Sequence, residues 1–228
     1  MMKWKTFTLL FIFLLFVGYA FGDVKSDIYS KLKCCPCKVS FDKCVCAEAK
    51  EMKSYIDALL ESGVSKGEIF YKVAKKFSLN VIVDQQLKRD IEKRLISEAG
   101  EKRPQLVLES SSFNFGKASK RQGKVSKVFK LYNKGTARLI ITNIRVSCSC
   151  VTAALKVGAN INPYFGIAGA SPGWQARIGP GAGAELEVVA DLAHPSMGAG
   201  RQVRDIFVAS NDPVYPQVSI RVEIEVTD

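Results

Sequence analysis

Histidine is nearly missing from this chain: His194 is the only one among 228 residues. General-base and histidine-ligand chemistry are therefore nearly closed off, and His194 itself, next to Pro195, reads as a surface loop residue with no motif supporting a Ser-His-Asp triad. There is no Gly-rich phosphate loop and no dinucleotide fingerprint, so the common nucleotide-binding sites are excluded. Long apolar runs are missing too. The longest, Phe7 to Val17, is short against the ~20 residues that span a bilayer. Acidic residues are absent from positions 117 to 138, where Lys117, Lys120, Arg121, Lys124, Lys127, Lys130, Lys134 and Arg138 follow one another. Such a run suits an acidic partner or an anionic membrane surface, but also a solvated sheet face, which is the reading preferred here.

The short apolar run has a clear context. Lys3 and Lys5 precede it, and Ala20-Phe21-Gly22 offers small residues before Asp23, so residues 1–22 read as a secretory signal peptide. Loss of that segment lowers the formal charge of +11 by two. The expected location is periplasmic or otherwise extracytoplasmic, and membrane association is expected only if the N-terminal segment stays uncleaved as an anchor. Nucleic acid is not an expected partner outside the cytoplasm. Export also puts cysteines where disulfides persist.

Cysteine is what the sequence has in excess. Cys34, Cys35, Cys37, Cys44 and Cys46 fall within thirteen residues and make up five of the seven in the chain. Three chemistries fit such a loop: thiol exchange, structural disulfides, and metal binding. Cys34 and Cys37 have C-x-x-C spacing, and Lys31, Lys33 and Lys38 provide positive charge that favours thiolate, the attacking species in disulfide exchange. Cys34, Cys37, Cys44 and Cys46 together have C-x2-C-x6-C-x-C spacing, which suits a four-thiolate site for zinc or copper. Lys38 stands where c-type haem attachment would need His, and no organic cofactor is expected.

Around this loop the apolar spacing is helical. Ile28, Tyr29 and Leu32 mark a short helix. Met52, Tyr55, Ile56, Leu59 and Leu60 mark a long one that Gly63 can end. Ser65 to Glu68 matches a capping box ahead of Ile69, Val73 and Phe77, and Leu87, Ile91 and Leu95 run up to Gly100. The helical part is small enough that cysteine staples would help it hold together.

At Pro104 the period changes from 3.6 to 2. Val218, Ile220, Val222, Ile224 and Val226 alternate with polar residues, as do Leu186, Val188, Ala190 and Leu192. Strand patterns recur near 106, 113, 125–132, 139–150, 185–192, 203–209 and 217–227, with Gly, Asn and Pro breakers between them. The expected fold class is two-domain: a small all-α three-helix bundle over 23–103, followed by an all-β antiparallel sandwich of immunoglobulin type over 104–228. Residues 157–176, rich in Gly, Ala and Pro, read as an insertion loop.

Cys148 and Cys150 form a second candidate thiol site. Placed in an extended strand their α-carbons would lie ~6.6 Å apart with parallel side chains, so a bond between the two is not expected.

Two resemblances add to this reading. The segment L-K-C-C-P-C-K at 32–38, the helix after it and E-S-G-V-S-K-G-E-I at 61–69 resemble the periplasmic domain of CcmH-type cytochrome c biogenesis proteins. This likeness covers about residues 26–80. It implies a three-helix bundle with Cys34 and Cys37 as a redox pair and apocytochrome c, or another extracytoplasmic protein client, as partner. The segments F-N-F-G at 113–116, N-K-G-T-A-R-L-I-I-T-N-I-R-V-S-C-S-C at 133–150, I-G-P-G at 178–181 and S-N-D-P at 210–213 resemble the exported family called domain of unknown function 1573, of ASPM/SPD-2/Hydin-like immunoglobulin fold. That likeness implies a binding module and no activity. The combined expectation is an exported thiol-disulfide exchange or cytochrome c maturation accessory protein, an oxidoreductase if it is an enzyme. The alternative is a non-enzymatic extracytoplasmic protein that binds metal or serves a structural interaction role.

Overall fold

A computed structural model describes residues 24–34 and 39–228. The expected signal peptide, residues 1–22, and Cys35 and Cys37 lie outside the described residues. Contacts divide the chain into two compact units, one holding residues up to 74 together with 81–91, the other 75–80 together with 92–228.

In the first unit, α1 covers residues 24–30 and α2 covers Ala47–Glu61. α2 ends as the spacing predicts: Gly63 adopts φ 71°, a left-handed conformation that costs glycine little, and donates to the Leu60 carbonyl at 2.9 Å. α3, Lys66–Phe77, and α4, Gln85–Ala99, begin in this unit. Ile28, Phe41, Ala49, Met52, Ile56, Ile69, Val73 and Ile82 are buried. Between the helices, residues 31–33 pair with 81–83: Lys33 donates to the Val81 carbonyl at 2.8 Å and Val83 to the Lys31 carbonyl at 3.0 Å. A short 3₁₀ turn, Phe41–Lys43, precedes α2.

The second unit is built on two five-stranded sheets. β1 (Leu106–Leu108), β3 (Lys124–Asn133), β8 (Gly183–Asp191), β5 (Val151–Val157) and β6 (Asn160–Ile161) form one, in that order. β2 (Ser112–Ser119), β10 (Gln217–Thr227), β9 (Gly200–Ser210), β4 (Leu139–Val146) and β7 (Ala176–Ile178) form the other. Alternate residues of these strands, among them Leu131, Ile141, Ile144, Leu155, Leu186, Val188, Ile206, Val208, Ile220 and Val222, share one core. Hydrophobic burial of this kind is the main stabilising term of a sandwich.

This architecture corrects the expected fold class. The described chain is mostly β, with a few helices, and its helical part is not an all-α three-helix bundle: it contains four helices, 3₁₀ turns and the Leu32–Ile82 bridge. Apolar periodicity reports which side of a segment is buried, not how many helices pack together or whether the links between them pair as strands. The immunoglobulin-like sandwich is present, but one of its sheets is mixed, because β2 runs parallel to β10. After β1 the chain leaves the first sheet within three residues and joins the other beside a strand about a hundred residues downstream. A period of two cannot distinguish that pairing from an antiparallel one.

The Asn133-Lys134-Gly135 breaker is a buried polar hub. Asn133, fully buried, donates through Nδ2 to the carbonyls of Ala137 and Ile178 at 2.8 and 3.1 Å, and its Oδ1 accepts from Gly135 and Gln105 at 3.0 and 3.3 Å. A Cβ on Gly135 would collide with the Arg103 carbonyl oxygen and the Gln105 backbone nitrogen. Asn133→Ala should therefore cost about 2–4 kcal/mol in urea denaturation, since it strands several buried partners at once. Gly135→Ala should destabilise by a similar amount through backbone displacement, and a change below 0.5 kcal/mol for either would contradict this reading.

Candidate functional site

Three sulfurs meet in the first unit. Cys34 Sγ lies 3.1 Å from Cys46 Sγ, Cys44 Sγ lies 3.5 Å from Cys46 Sγ, and all three fall within 4.8 Å of one another. Each is delivered by a different local device. The pairing of 31–33 with 81–83 fixes the chain that leads into Cys34. Cys44 closes the 3₁₀ turn, donating its backbone N–H to the carbonyls of Ser40 and Phe41. Cys46 is the N-cap of α2, its sulfur accepting from Ala49 N–H at 3.4 Å. Cys34 and Cys44 are buried and Cys46 is half-buried. The amide dipoles at the start of α2 point toward the cluster, a setting that suits anionic sulfur.

Below the sulfurs, the chain is held by Lys53 and Phe41, neither of which the sequence singled out. Lys53 Nζ donates to the carbonyls of Asp42 and Cys44 at 2.7 and 2.8 Å and lies 5.5 Å from the centre of the Phe41 ring. Phe41 is buried and packs edge-on against Tyr29, with ring centres 5.0 Å apart. Burial pushes the Tyr29 phenol above its ordinary range. Lys53 was findable, because it follows Cys46 by seven residues and so lies two helical turns along the same face of α2. Of the residues expected to form the four-sulfur set, Cys34, Cys44 and Cys46 come together; Cys37 lies outside the described residues.

The second thiol site departs from expectation. Cys148 and Cys150 are joined by a disulfide, with α-carbons 5.2 Å apart. The sequence pattern read 139–150 as one strand, but β4 stops at Val146, and residues 147–150 form a bend and turn closed by Val151 N–H to the Cys148 carbonyl at 3.1 Å. Turning draws the α-carbons in from the ~6.6 Å of an extended strand to 5.2 Å, which removes the geometric objection to a bond. This turn carries the chain from one sheet to the other, since β4 and β5 belong to different sheets.

Arg204 of β9 reaches this bridge, its Nε donating to Cys150 Sγ at 3.1 Å. It shares the inward register of Ile206 and Val208. A charged residue in that register was a legible anomaly whose meaning depended on a cross-sheet neighbour. His194 has its Nδ1 engaged by Ser196 N–H at 3.0 Å and contributes to a turn. The basic run faces solvent, with Lys120 and Lys130 near Asp228 and Glu109 at 3.7 Å.

Residues 106–161 match the family model described as protein of unknown function (DUF1573), which agrees with the resemblance of the C-terminal part. The likeness of residues 26–80 to CcmH-type proteins rests on its sequence motif alone. No curated protein matches. Among solved structures, a protein of unknown function from Porphyromonas gingivalis W83 is 19% identical with TM-score 0.41, over 55% of this chain and 49% of that one. The chain thus spans about half the length of that protein. A PapD-like domain of human CEP192 is 10% identical with TM-score 0.33, over 57% and 89%. The E. coli chaperone DraB is 10% identical with TM-score 0.35, over 53% and 54%.

Lys53→Met keeps the apolar stem and removes both carbonyl contacts. Amide hydrogen exchange at residues 40–46 should quicken at least roughly tenfold, since even one hydrogen bond from a charged group contributes about 1.5–3 kcal/mol. Unchanged exchange there would mean that the turn holds without Lys53.

Proposed function

We propose that the protein is an extracytoplasmic thiolate metal-binding protein in which Cys34, Cys44 and Cys46 hold a soft metal ion, zinc or copper(I), while the sandwich serves as an interaction module. The observation that carries this reading is the convergence of three sulfurs from three separate backbone devices within 4.8 Å. Tetrahedral zinc with ~2.3 Å bonds separates its sulfurs by about 3.8 Å, close to the observed spacings of 3.1 and 3.5 Å and inside the 4.8 Å that bounds all three. Soft thiolates select zinc and copper(I) over hard cations. Cys37, three residues after Cys34, is the fourth candidate ligand on sequence spacing. A metal here would tie the 34–46 loop to α2 and stabilise a unit with a small core.

A second reading, thiol-disulfide exchange through Cys34 and Cys37 with apocytochrome c or another exported protein as client, is what the CcmH resemblance implies. The 3.1 Å approach of Cys34 to Cys46 also favours it, because it supplies a further sulfur within reach of an exchange partner.

Titration of the reduced, metal-free protein with cobalt(II) should give thiolate charge-transfer bands and tetrahedral ligand-field bands at one equivalent. Zinc should displace the cobalt, and binding should release protons and weaken as pH falls. Cys34→Ser and Cys46→Ser should each lower affinity at least about a hundredfold, more than loss of an outer partner does. If no metal is retained, and mild dithiol instead produces a two-proton mass change confined to the 34–46 peptide, the exchange reading replaces this one.

A further inference from the structure

The Cys148–Cys150 bridge closes a ring spanning only three residues, in a turn that does not depend on it. Ser147 donates its N–H to the Asp205 carbonyl, Asp205 returns its own N–H to Ser147 Oγ, and Asp191 donates to the Cys150 carbonyl, each at 2.9 Å. These bonds, with the ladders of β4 on β9 and β5 on β8, hold the corner through contacts that do not involve the sulfurs. A bridge over so short a loop also restrains the unfolded chain less than one that closes a long loop. Stapling therefore accounts for little of what this bond does.

The two sulfurs differ in ways that bear on chemistry. Cys148 is half-buried and Cys150 is 1% exposed, so Cys148 is the more exposed of the two to an external sulfur. Arg204 Nε donates to Cys150 Sγ at 3.1 Å, and the guanidinium is locked by the Val203 and Ser196 carbonyls and Gln202 Oε1 at 2.8, 3.3 and 2.8 Å. Among the described residues no carboxylate pairs with Arg204. Neighbouring Asp205 is engaged by Arg221 at 2.9 Å. Burial works against the charged guanidinium, which holds its pKa below the ordinary arginine value. A neutral disulfide sulfur offsets little of that cost, whereas a thiolate at Cys150 would offset much of it through a charge-assisted hydrogen bond.

We propose that Cys148–Cys150 is a redox-active disulfide that exchanges with an external dithiol, attacked at Cys148 and with Arg204 stabilising the departing Cys150 thiolate. A thiolate of the dithiol attacks Cys148 Sγ. The sulfur–sulfur bond breaks, its electron pair leaves on Cys150 Sγ, and a mixed disulfide forms on Cys148. The second thiol of the dithiol, once deprotonated, attacks its own sulfur in the mixed disulfide and releases Cys148 thiolate. Two electrons and two protons pass from the dithiol to Cys148 and Cys150, and the dithiol becomes a disulfide; run backwards, the same steps oxidise a dithiol client. The Cys150 N–H, 3.3 Å from Cys148 Sγ, meets the charge that appears there last. This site is independent of the 34–46 cluster, and peptide-resolved mass spectrometry keeps the two apart.

In the folded full-length chain, millimolar dithiothreitol should add two protons to the 148–150 peptide without loss of the β-sheet circular dichroism signal. Arg204→Gln should slow that step roughly three- to tenfold, through a poorer leaving group, and reduce thiolate absorbance of the reduced protein at neutral pH. Arg204→Lys, which retains the charge, should recover part of the rate and supplies the comparison if Arg204→Gln does not fold. With oxidised glutathione, Cys150→Ser, which keeps Cys148, should form a mixed disulfide faster than Cys148→Ser. A bond that opens only when the chain unfolds, an Arg204→Gln rate equal to that of the unchanged chain, or the reverse order of glutathione capture would each overturn the proposal.

Discussion

The second unit depends on a change of sheet made in four residues. β4 ends at Val146 against β9 in one sheet, and β5 begins at Val151 against β8 in the other. So short a connection between packed layers forces a turn, and the turn must satisfy its own backbone groups at the rim of an apolar core. Ser147, Asp205, Asp191 and the Cys148 carbonyl meet that requirement. At this corner Arg204, on the strand beside β4, lies against the sulfur of Cys150.

The two sulfur clusters are built on different physics. In the first unit a bridge, a 3₁₀ turn and a helix N-terminus aim three cysteines at one point, and Lys53 fixes the loop through carbonyls rather than through sulfur. Convergence of three sulfur donors suits a shared soft cation. At Cys148 and Cys150 there are two sulfurs, already joined, with one accessible and the other facing a guanidinium. That asymmetry suits bond exchange, in which one sulfur is attacked and the other must carry away charge.

Much of the fold was legible. The apolar spacing of Met52, Ile56 and Leu60 placed α2, and alternation at Val218 to Val226 placed β10 and its buried face. Gly63 and Gly100 both adopt the left-handed conformation that follows a helix. What failed did so for local reasons. Residues 139–150 read as one strand because Cys148 and Cys150 preserve the alternation of Ile144 and Val146 even though the backbone has turned. The helical part read as a bundle because single-residue pairings such as Leu32 with Ile82 leave no periodic trace. The direction of β2 was invisible, since its neighbour β10 lies about a hundred residues away.

By itself the sequence determined which segments are helical or extended, which of their faces are buried, and that sulfur chemistry is concentrated at 34–46 and 148–150; these follow from side-chain spacing and residue type, which are properties of the local chain. Only the tertiary structure decided that Cys34, Cys44 and Cys46 share one point, that Cys148 is joined to Cys150, and that Arg204 attends that bond. Spacing could offer those cysteines as partners, but the backbone that places them is held by residues distant in sequence, 31–33 by 81–83 ahead of Cys34 and Ser147 by Asp205 at the corner, and no local pattern encodes those pairings.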